Sequence, residues 1–192
     1  MSPVAGLASR LLDAIERDVL PLTERGVAAG NKVFGAAALR KGDLALVLAE
    51  TNNETECPLW HGEIHLIKRL HERGLAGDPR SMLFLSTHEP CPMCASAIAW
   101  AGFDTVYYLF THQDSRDGFA IPHDLRILHE VFGTADYRRR NAFWTATPIG
   151  DLVAVDPDRA ALEARAARIR AAYDRLSALY QAGKAGSAIP LP

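Results

Sequence analysis

The sequence has few cysteines, no long apolar run and little net charge, and each deficit excludes a class of protein. Three cysteines in 192 residues are too few, and odd in number, for a disulfide framework, so we expect a reducing compartment. No uninterrupted apolar run is long enough to cross a bilayer. The net charge of −2 gives no overall attraction to nucleic acid. Because Met1–Arg10 also lacks the basic-then-apolar order of a secretory signal, we expect a cytoplasmic protein.

The periodicity of the apolar residues predicts alternating helices and strands. Apolar residues make up 48% of the chain, which is enough for a substantial core. Helical spacing covers residues 7–27 with a break or a second short turn at Pro21, and then 61–74, 92–101, 124–132 and a long stretch opened by Asp156-Pro157. Strand patterns cover 33–39, 44–48, 82–85 and 105–110, with a last extended segment within 144–155. This alternation predicts an α/β fold with helices on both faces of a sheet.

The long C-terminal helix leaves two possibilities for the domain organisation. We expect residues 1–155 to form the main domain, and residues 156–192 to be either part of that domain or an arm to a second subunit. The apolar stripe of the helix, from Leu162 to Tyr180, fits packing on the chain's own sheet or a subunit interface. We expect residues 113–122 to form a polar loop and residues 184–192 to be loosely held.

Two short segments, His61-Gly62-Glu63 and Pro90–Cys94, carry groups suited to metal chemistry. His61, Cys91 and Cys94 supply one imidazole and two thiolates, and a catalytic zinc site has three protein ligands and one position open for water. If both segments begin helices, their free N–H groups point at the metal and favour thiolates. The carboxylate of Glu63, two residues from His61, is then close enough to handle the protons of that water.

Other interpretations of these residues remain open. The Cys91–Cys94 pair alone fits a thioredoxin-like redox pair or half of a structural zinc site. Cys57 is a candidate fourth ligand, and a site closed by it would be inert. The combination of H-x-E with P-C-x-x-C, each at a helix start, favours the catalytic interpretation.

The pattern H-x-E…P-C-x-x-C resembles that of cytidine-deaminase-like zinc-dependent deaminases, a superfamily with guanine, cytosine and transfer-RNA adenosine deaminases. The resemblance covers roughly residues 7–132. It implies a three-layer α/β/α fold with a mixed five-stranded sheet, a Zn²⁺ cofactor and a homodimer. It also implies that Glu63 is the catalytic residue and that His61, Cys91 and Cys94 hold the metal.

The resemblance and the side chains themselves indicate four candidate substrate-binding residues. Phe34 lies in Val33-Phe34-Gly35-Ala36, which is similar to a family strand near the pocket. Asn52, with Asn53 as the alternative, matches an asparagine that contacts the base in relatives. Gly62 stands between the histidine and the glutamate, where most relatives have alanine. Trp100 would stack on a planar base, with core packing as its alternative role.

The residues that would select the substrate depart from the family pattern. Guanine deaminases place acidic residues after a Gly-Phe pair, whereas Gly118-Phe119 is followed here by Ala120. Three nearby acids are alternatives for this role: Asp114, Asp117 and Asp124. Guanine is therefore one candidate among several.

The sequence thus predicts a zinc-dependent hydrolytic deaminase of a free nucleobase, nucleoside or related amino-heterocycle, with guanine or cytosine as leading candidates. Two alternatives remain. A transfer-RNA adenosine deaminase would need a local basic surface, for which Arg138-Arg139-Arg140 is the candidate run. A catalytically silent, zinc-stabilised partner subunit is the other, although such a protein would be free to lose Glu63.

Overall fold

A computed structural model describes residues 6–191, so the N-terminal segment Met1–Arg10 lies partly outside the described residues, as does Pro192. The described part contains a five-stranded sheet with the strand order β2-β1-β3-β4-β5. Its strands are β1 (Gly35–Arg40), β2 (Leu46–Thr51), β3 (Met82–His88), β4 (Thr105–Phe110) and β5 (Thr145–Pro148). β1 pairs antiparallel with β2 and β3, whereas β3, β4 and β5 run parallel. The predicted mixed five-stranded sheet is confirmed.

Helices cover both faces of this sheet. They are α1 (Leu7–Asp13), a π-helical stretch (Ala14–Val19), α2 (Leu20–Ala28), α3 (Gly62–Glu72), α4 (Pro92–Trp100), α5 (His112–Asp117), α6 (His123–Phe132), α7 (Ile149–Ala154) and α8 (Arg159–Gly183). Two short 3₁₀ helices, Pro79–Ser81 and Lys184–Gly186, complete the described elements. None of the helices within residues 6–191 is long and apolar enough to cross a membrane.

The pleat of β3 separates two apolar cores. Leu83 and Leu85 face the core formed with α1, α2, α7 and α8. Phe84, on the other face, belongs to the core formed with α3 and α4. Successive residues of β3 therefore pack against different helical layers, and the predicted three-layer α/β/α arrangement is confirmed.

The apolar stripe of α8 packs against the chain's own first core. Leu162, Ile169 and Tyr173 are buried there together with Leu176 and Tyr180. α8 contacts α1, α2 and α7. The sequence left two alternatives for this stripe, packing on the chain's own sheet or a subunit interface, and the structure shows packing within the chain. Beyond α8, Ile189 is also buried, at 6% exposed, although residues 184–192 were expected to be loosely held.

Three local predictions from the sequence are wrong. Pro21 does not break the N-terminal helix, because a wide π-helical turn precedes it and Pro21 lies in the first turn of α2. The expected loop at 113–122 overlaps α5, which a capping box between Thr111 and Asp114 stabilises. The extended segment predicted within 144–155 is confirmed as β5, and the helix α7 that follows it was not predicted. The last helix begins at Arg159 rather than directly after Asp156.

Candidate active site

His61 and Cys91 each occupy the N-cap position of a helix, on α3 and α4 respectively. Both have extended backbone angles, as N-cap residues usually do. The Cys91 thiol accepts a hydrogen bond from the Cys94 backbone N–H at 3.5 Å, which places both sulfurs at the start of α4. The two helix starts therefore converge, as the sequence predicts, and bring free N–H groups towards one point.

The three candidate ligand atoms lie at spacings that suit a tetrahedral zinc site. His61 Nδ1 is 3.6 Å from Cys91 Sγ and 3.7 Å from Cys94 Sγ. Zinc bonds of usual length at tetrahedral angles would separate a nitrogen and a sulfur by about 3.6 Å. Among the described residues, these three form a group with metal-ligand spacing, and Cys57 is not part of it. The donor set and its geometry therefore fit a zinc ion with three protein ligands.

Glu63 lies beside the three ligands, in the first turn of α3. Its side chain is buried, at 4% exposed, and Oε1 accepts a hydrogen bond of 2.9 Å from Ser86 Oγ on β3. Burial, together with the nearby Cys91 sulfur, raises the pKa of Glu63 above its ordinary value. A carboxylate with a raised pKa is suited to take up and release a proton near neutral pH.

The pKa values of the three candidate ligands reflect how closely these side chains approach one another. Burial lowers the pKa of His61, but Cys91, Glu54 and Glu63 outweigh it and bring the pKa to about 9. The hydrogen bond with Cys94 and the neighbouring His61 lower the pKa of Cys91 well below its ordinary value. Burial raises the pKa of Cys94. A cation in this site would replace the proton on His61.

A cavity of about 510 Å³ adjoins the candidate ligands. Its lining is mostly apolar, with His61 and Cys91 at one side and the tail residues 189–191 at another. The remaining polar lining includes Lys32, Glu54, His123 and Asp124. Burial and the nearby Cys91 raise the pKa of Asp124 to about 8. This cavity is large enough for a planar heterocycle and carries few polar groups, as ligand sites usually do.

The four predicted substrate-binding residues lie in different surroundings. Phe34 lines the cavity. Gly62 and Asn52 are buried beside it, and Asn52 Oδ1 accepts a 2.5 Å hydrogen bond from the Gly62 N–H. Trp100 is 88% exposed, so it is not packed in the core, and it lines a second cavity of about 520 Å³ instead. Of the three acids considered for substrate selection, Asp124 is the one that lines the first cavity.

Two further residues of the cavity escaped the sequence analysis. Lys32 and Glu54 form an ion pair with Nζ and Oε1 2.7 Å apart, and both side chains are buried. Glu54 also accepts a hydrogen bond from Asn52 Nδ2 at 2.7 Å. Lysine and glutamate are usually exposed to solvent. The positions of Lys32 and Glu54 in the sequence therefore do not distinguish this buried pair from surface charges.

The loop that precedes Cys91 is held from behind by two side chains. The Pro90 carbonyl oxygen accepts hydrogen bonds from Tyr137 Oη at 2.9 Å and from His112 Nε2 at 3.1 Å. Its neighbour Glu89 is buried and accepts from Arg139 Nε at 2.8 Å. These bonds fix the approach of the chain to α4, and with it the Cys91 sulfur.

Comparison with known proteins places this geometry in a family. The family model for the zinc-binding region of cytidine and deoxycytidylate deaminases matches residues 13–110. That stretch includes Glu63 and all three candidate ligands. The chain belongs to this family. The resemblance inferred from the sequence motifs is thereby confirmed.

Individual relatives are similar over part of their length. Guanine deaminase of Bacillus subtilis (strain 168) is 33% identical over 95 residues, which are 48% of this chain and 60% of that protein. This chain thus spans about 60% of the length of the curated relative it matches. The crystal structure of guanine deaminase from Bacillus subtilis has a TM-score of 0.52 and 25% identity, over 68% of this chain and 86% of that one.

Two other solved structures share the fold at lower identity. Guanine deaminase from Nitrosomonas europaea has a TM-score of 0.51 and 20% identity, over 88% of this chain and 86% of that chain. A variant of the protein NE0047, in complex with 8-azaguanine, has a TM-score of 0.56 and 21% identity, over 93% of this chain and 85% of that chain. Both likenesses agree with the cytidine-deaminase-like architecture.

Proposed function

We propose that this protein is a zinc-dependent hydrolytic deaminase of a nucleobase or a related amino-heterocycle. The observation that carries the proposal is the meeting of three zinc-type donors with a buried carboxylate at the wall of one cavity. Family membership supports the same reaction, because deaminases of this family are hydrolases that act on C–N bonds. The reaction adds water to the ring carbon that bears the amino group and releases ammonia.

His61, Cys91 and Cys94 would hold the zinc ion, which when bound lowers the pKa of water and so supplies a nucleophile at neutral pH. Glu63 takes the proton that this water loses and delivers it to the ring nitrogen next to the attacked carbon. Glu63 then takes the remaining proton from the oxygen that has been added to the carbon and delivers it to the amino group. The C–N bond breaks, ammonia leaves, and a carbonyl group remains on the ring. Ser86 holds Glu63 in place through its hydrogen bond to Oε1.

The lining of the cavity supports a planar, mostly apolar substrate with few polar groups. Phe34 and the aliphatic side chains around it would contact the faces of a heterocyclic ring. We propose Asp124 as the acid that contacts the polar edge of the ring, since guanine carries N–H donors there. The guanine deaminases similar to this chain, and the 8-azaguanine bound by NE0047, support guanine or a similar purine as the first substrate to test. Cytosine is the second.

Two further expectations remain predictions. They are the homodimer, which the resemblance implies, and the cytoplasmic location, which the sequence predicts. The transfer-RNA alternative also remains a prediction, but one residue of its candidate basic run is already engaged. Arg139 donates to the buried carboxylate of Glu89 through Nε, and this ion pair neutralises much of the charge that a phosphate would meet there.

The test of the proposed function combines a substrate panel with a substitution at Glu63. Purified protein is incubated with guanine, cytosine, adenine and their nucleosides, and ammonia release is measured together with zinc content. We expect release from at least one compound and about one zinc per chain. Glu63→Gln should lower the rate by about 100-fold or more with zinc content unchanged, because general acid–base catalysis is worth this much.

The matched control is Glu56→Gln, which removes the charge of an exposed glutamate that bonds Asn53 nearby. Its rate should equal that of the unmodified protein. A Glu63→Gln enzyme that deaminates at the normal rate would remove Glu63 from the mechanism. A zinc content far below one per chain, or no ammonia from any compound, would refute the proposed function.

A further inference from the structure

A buried polar cluster of Lys32, Asn52 and Glu54 lies on the side of the His61 ring that faces away from the two sulfurs. We propose that Glu54 is a positioning residue for the metal centre, which orients His61 by accepting a hydrogen bond from Nε2. The inference rests on the proposed zinc site. It assigns a role to an ion pair that the family motifs do not contain.

The orientation of the His61 ring is the first argument. Nδ1 lies 3.6 Å and 3.7 Å from the sulfurs of Cys91 and Cys94, so this nitrogen is the one that would bind zinc. Nε2 lies 3.5 Å from Glu54 Oε1. For Nδ1 to offer its lone pair, the ring proton must be on Nε2, and a carboxylate beside Nε2 stabilises this tautomer. Glu54 is therefore located where an outer partner of a zinc-bound histidine is expected.

The fixed position of Glu54 is the second argument. Lys32 Nζ donates to Oε1 and Asn52 Nδ2 donates to Oε2, both at 2.7 Å. Glu54 is 2% exposed and Lys32 is 4% exposed. A buried carboxylate without a partner would be strongly destabilising, so Lys32 is needed to keep Glu54 charged in this position. The two hydrogen bonds leave the carboxylate little freedom to turn away from His61.

The connection of the cluster to the helix that carries His61 is the third argument. Asn52 donates to Glu54 and, through Oδ1, accepts from the Gly62 N–H at the start of α3. One side chain thus holds both the partner of His61 and the helix turn that presents it. Lys32 precedes β1 and Asn52 follows β2, so the cluster joins one end of this strand pair to the metal centre.

The experiment measures zinc affinity by competition with a chelator, in the full-length protein. Lys32→Met with Glu54→Gln removes both charges together and leaves no buried charge without a partner. We expect this double variant to bind zinc about 10- to 100-fold more weakly, as loss of a partner of a zinc-bound histidine usually does. The matched control replaces a partly exposed pair on α3, Lys68→Met with Glu72→Gln. Its zinc affinity should stay within about threefold of normal.

A second readout separates positioning from a structural role alone. The melting temperature is measured with and without zinc. If the pair only stabilises the fold, both temperatures fall equally. If Glu54 positions His61, the rise that zinc produces becomes smaller, because the stabilisation by a ligand follows its affinity. An unchanged zinc-induced rise, or zinc affinity within about threefold of normal in the double variant, would overturn the inference.

Two outcomes distinguish this inference from the proposed function. If the unmodified protein does not bind zinc, the proposed function fails. If it binds zinc and the double variant binds equally well, only the role of Glu54 fails. If the double variant does not fold, Glu54→Asp is measured instead and judged by the same changes in zinc affinity. This variant keeps a negative charge for Lys32 but moves the carboxylate away from His61.

Discussion

At the scale of single residues, the absence of a side chain at Gly62 decides how closely α3 approaches the sheet. A Cβ atom at this position would lie 2.6 Å from the Cα atom of Gly35, a distance that real Cβ atoms do not reach. Gly35 is itself enclosed, because its own Cβ would lie 2.5 Å from Val19 Cγ1. Comparison with the family motif alone suggests that the glycine of His61-Gly62-Glu63 is a tolerated replacement of alanine. The structure shows instead that this chain requires it.

Replacement of Gly62 by alanine should therefore displace the start of α3. We expect the free energy of unfolding to fall by about 1–3 kcal/mol, the usual cost of overpacking, and zinc affinity to fall with it. Denaturant unfolding and chelator competition measure the two effects. Gly150→Ala on α7 is the control, since a Cβ there meets nothing within 4 Å. Normal stability and zinc affinity in Gly62→Ala would show that the backbone contact has no such role.

At the scale of elements, the C-terminal tail after α8 closes one side of the cavity. Residues 189–191 line the same space as His61 and Asp124, and Ile189 is buried. α8 brings the tail to this place, because its apolar stripe is packed along the first core. The tail thus forms one wall of the cavity.

A smaller side chain at the buried tail position should widen the cavity. We expect Ile189→Ala to raise the KM for the best substrate by about threefold or more with kcat little changed, because lost apolar contact weakens ground-state and transition-state binding equally. Steady-state kinetics of the purified variant provide the measurement. Leu179→Ala removes a similar side chain that is exposed on α8 and serves as the control. Equal KM values in both variants would contradict a role of the tail in binding.

At the scale of the whole molecule, the first core contains a histidine that the apolar surroundings hold neutral. His88 is enclosed by the rings of Phe34, Phe110, Phe119 and Tyr173. Its Nδ1 is 2.9 Å from Thr87 Oγ1, and its buried Nε2 has no hydrogen-bond partner among the described residues. Burial, and then the positive charge of Arg170, lower the pKa of His88 well below its ordinary value.

This histidine should make the stability of the protein depend on pH below about 6.5, the ordinary pKa of histidine. The unfolded chain takes up a proton at His88 there and the folded chain does not, so the free energy of unfolding falls as the pH falls. Each pH unit contributes about 1.4 kcal/mol until the folded pKa is reached. Denaturant unfolding from pH 7.5 to 5.5 at fixed zinc measures the slope. His88→Phe should reduce it, whereas His129→Gln on the exposed face of α6 should not.

The residues that the sequence identified and those that it missed differ in a physical respect. His61, Glu63, Cys91 and Cys94 stand in short segments whose spacing is fixed by one helical turn, so their proximity within each segment follows from the sequence. The alternation of helix and strand periods likewise determined the α/β class, because burial on one face imposes those periods. The sequence analysis missed the π-helical turn before Pro21, the short helices α5 and α7, and the start of α8 at Arg159. Elements this short span too few residues to show a clear period.

Only the tertiary structure decided which distant side chains share the cavity. Lys32, Glu54 and Asp124 come from separate loops and a separate helix, and they meet because the start of β1, the end of β2 and the start of α6 lie near the same point. Trp100, in contrast, does not join this cavity. The sequence is compatible with a position in a pocket or in the core, but the side chain is 88% exposed. Local hydrogen bonds and the period of apolar residues depend on consecutive residues, so the sequence determines them directly. Contacts between distant residues depend on how whole helices pack on the sheet.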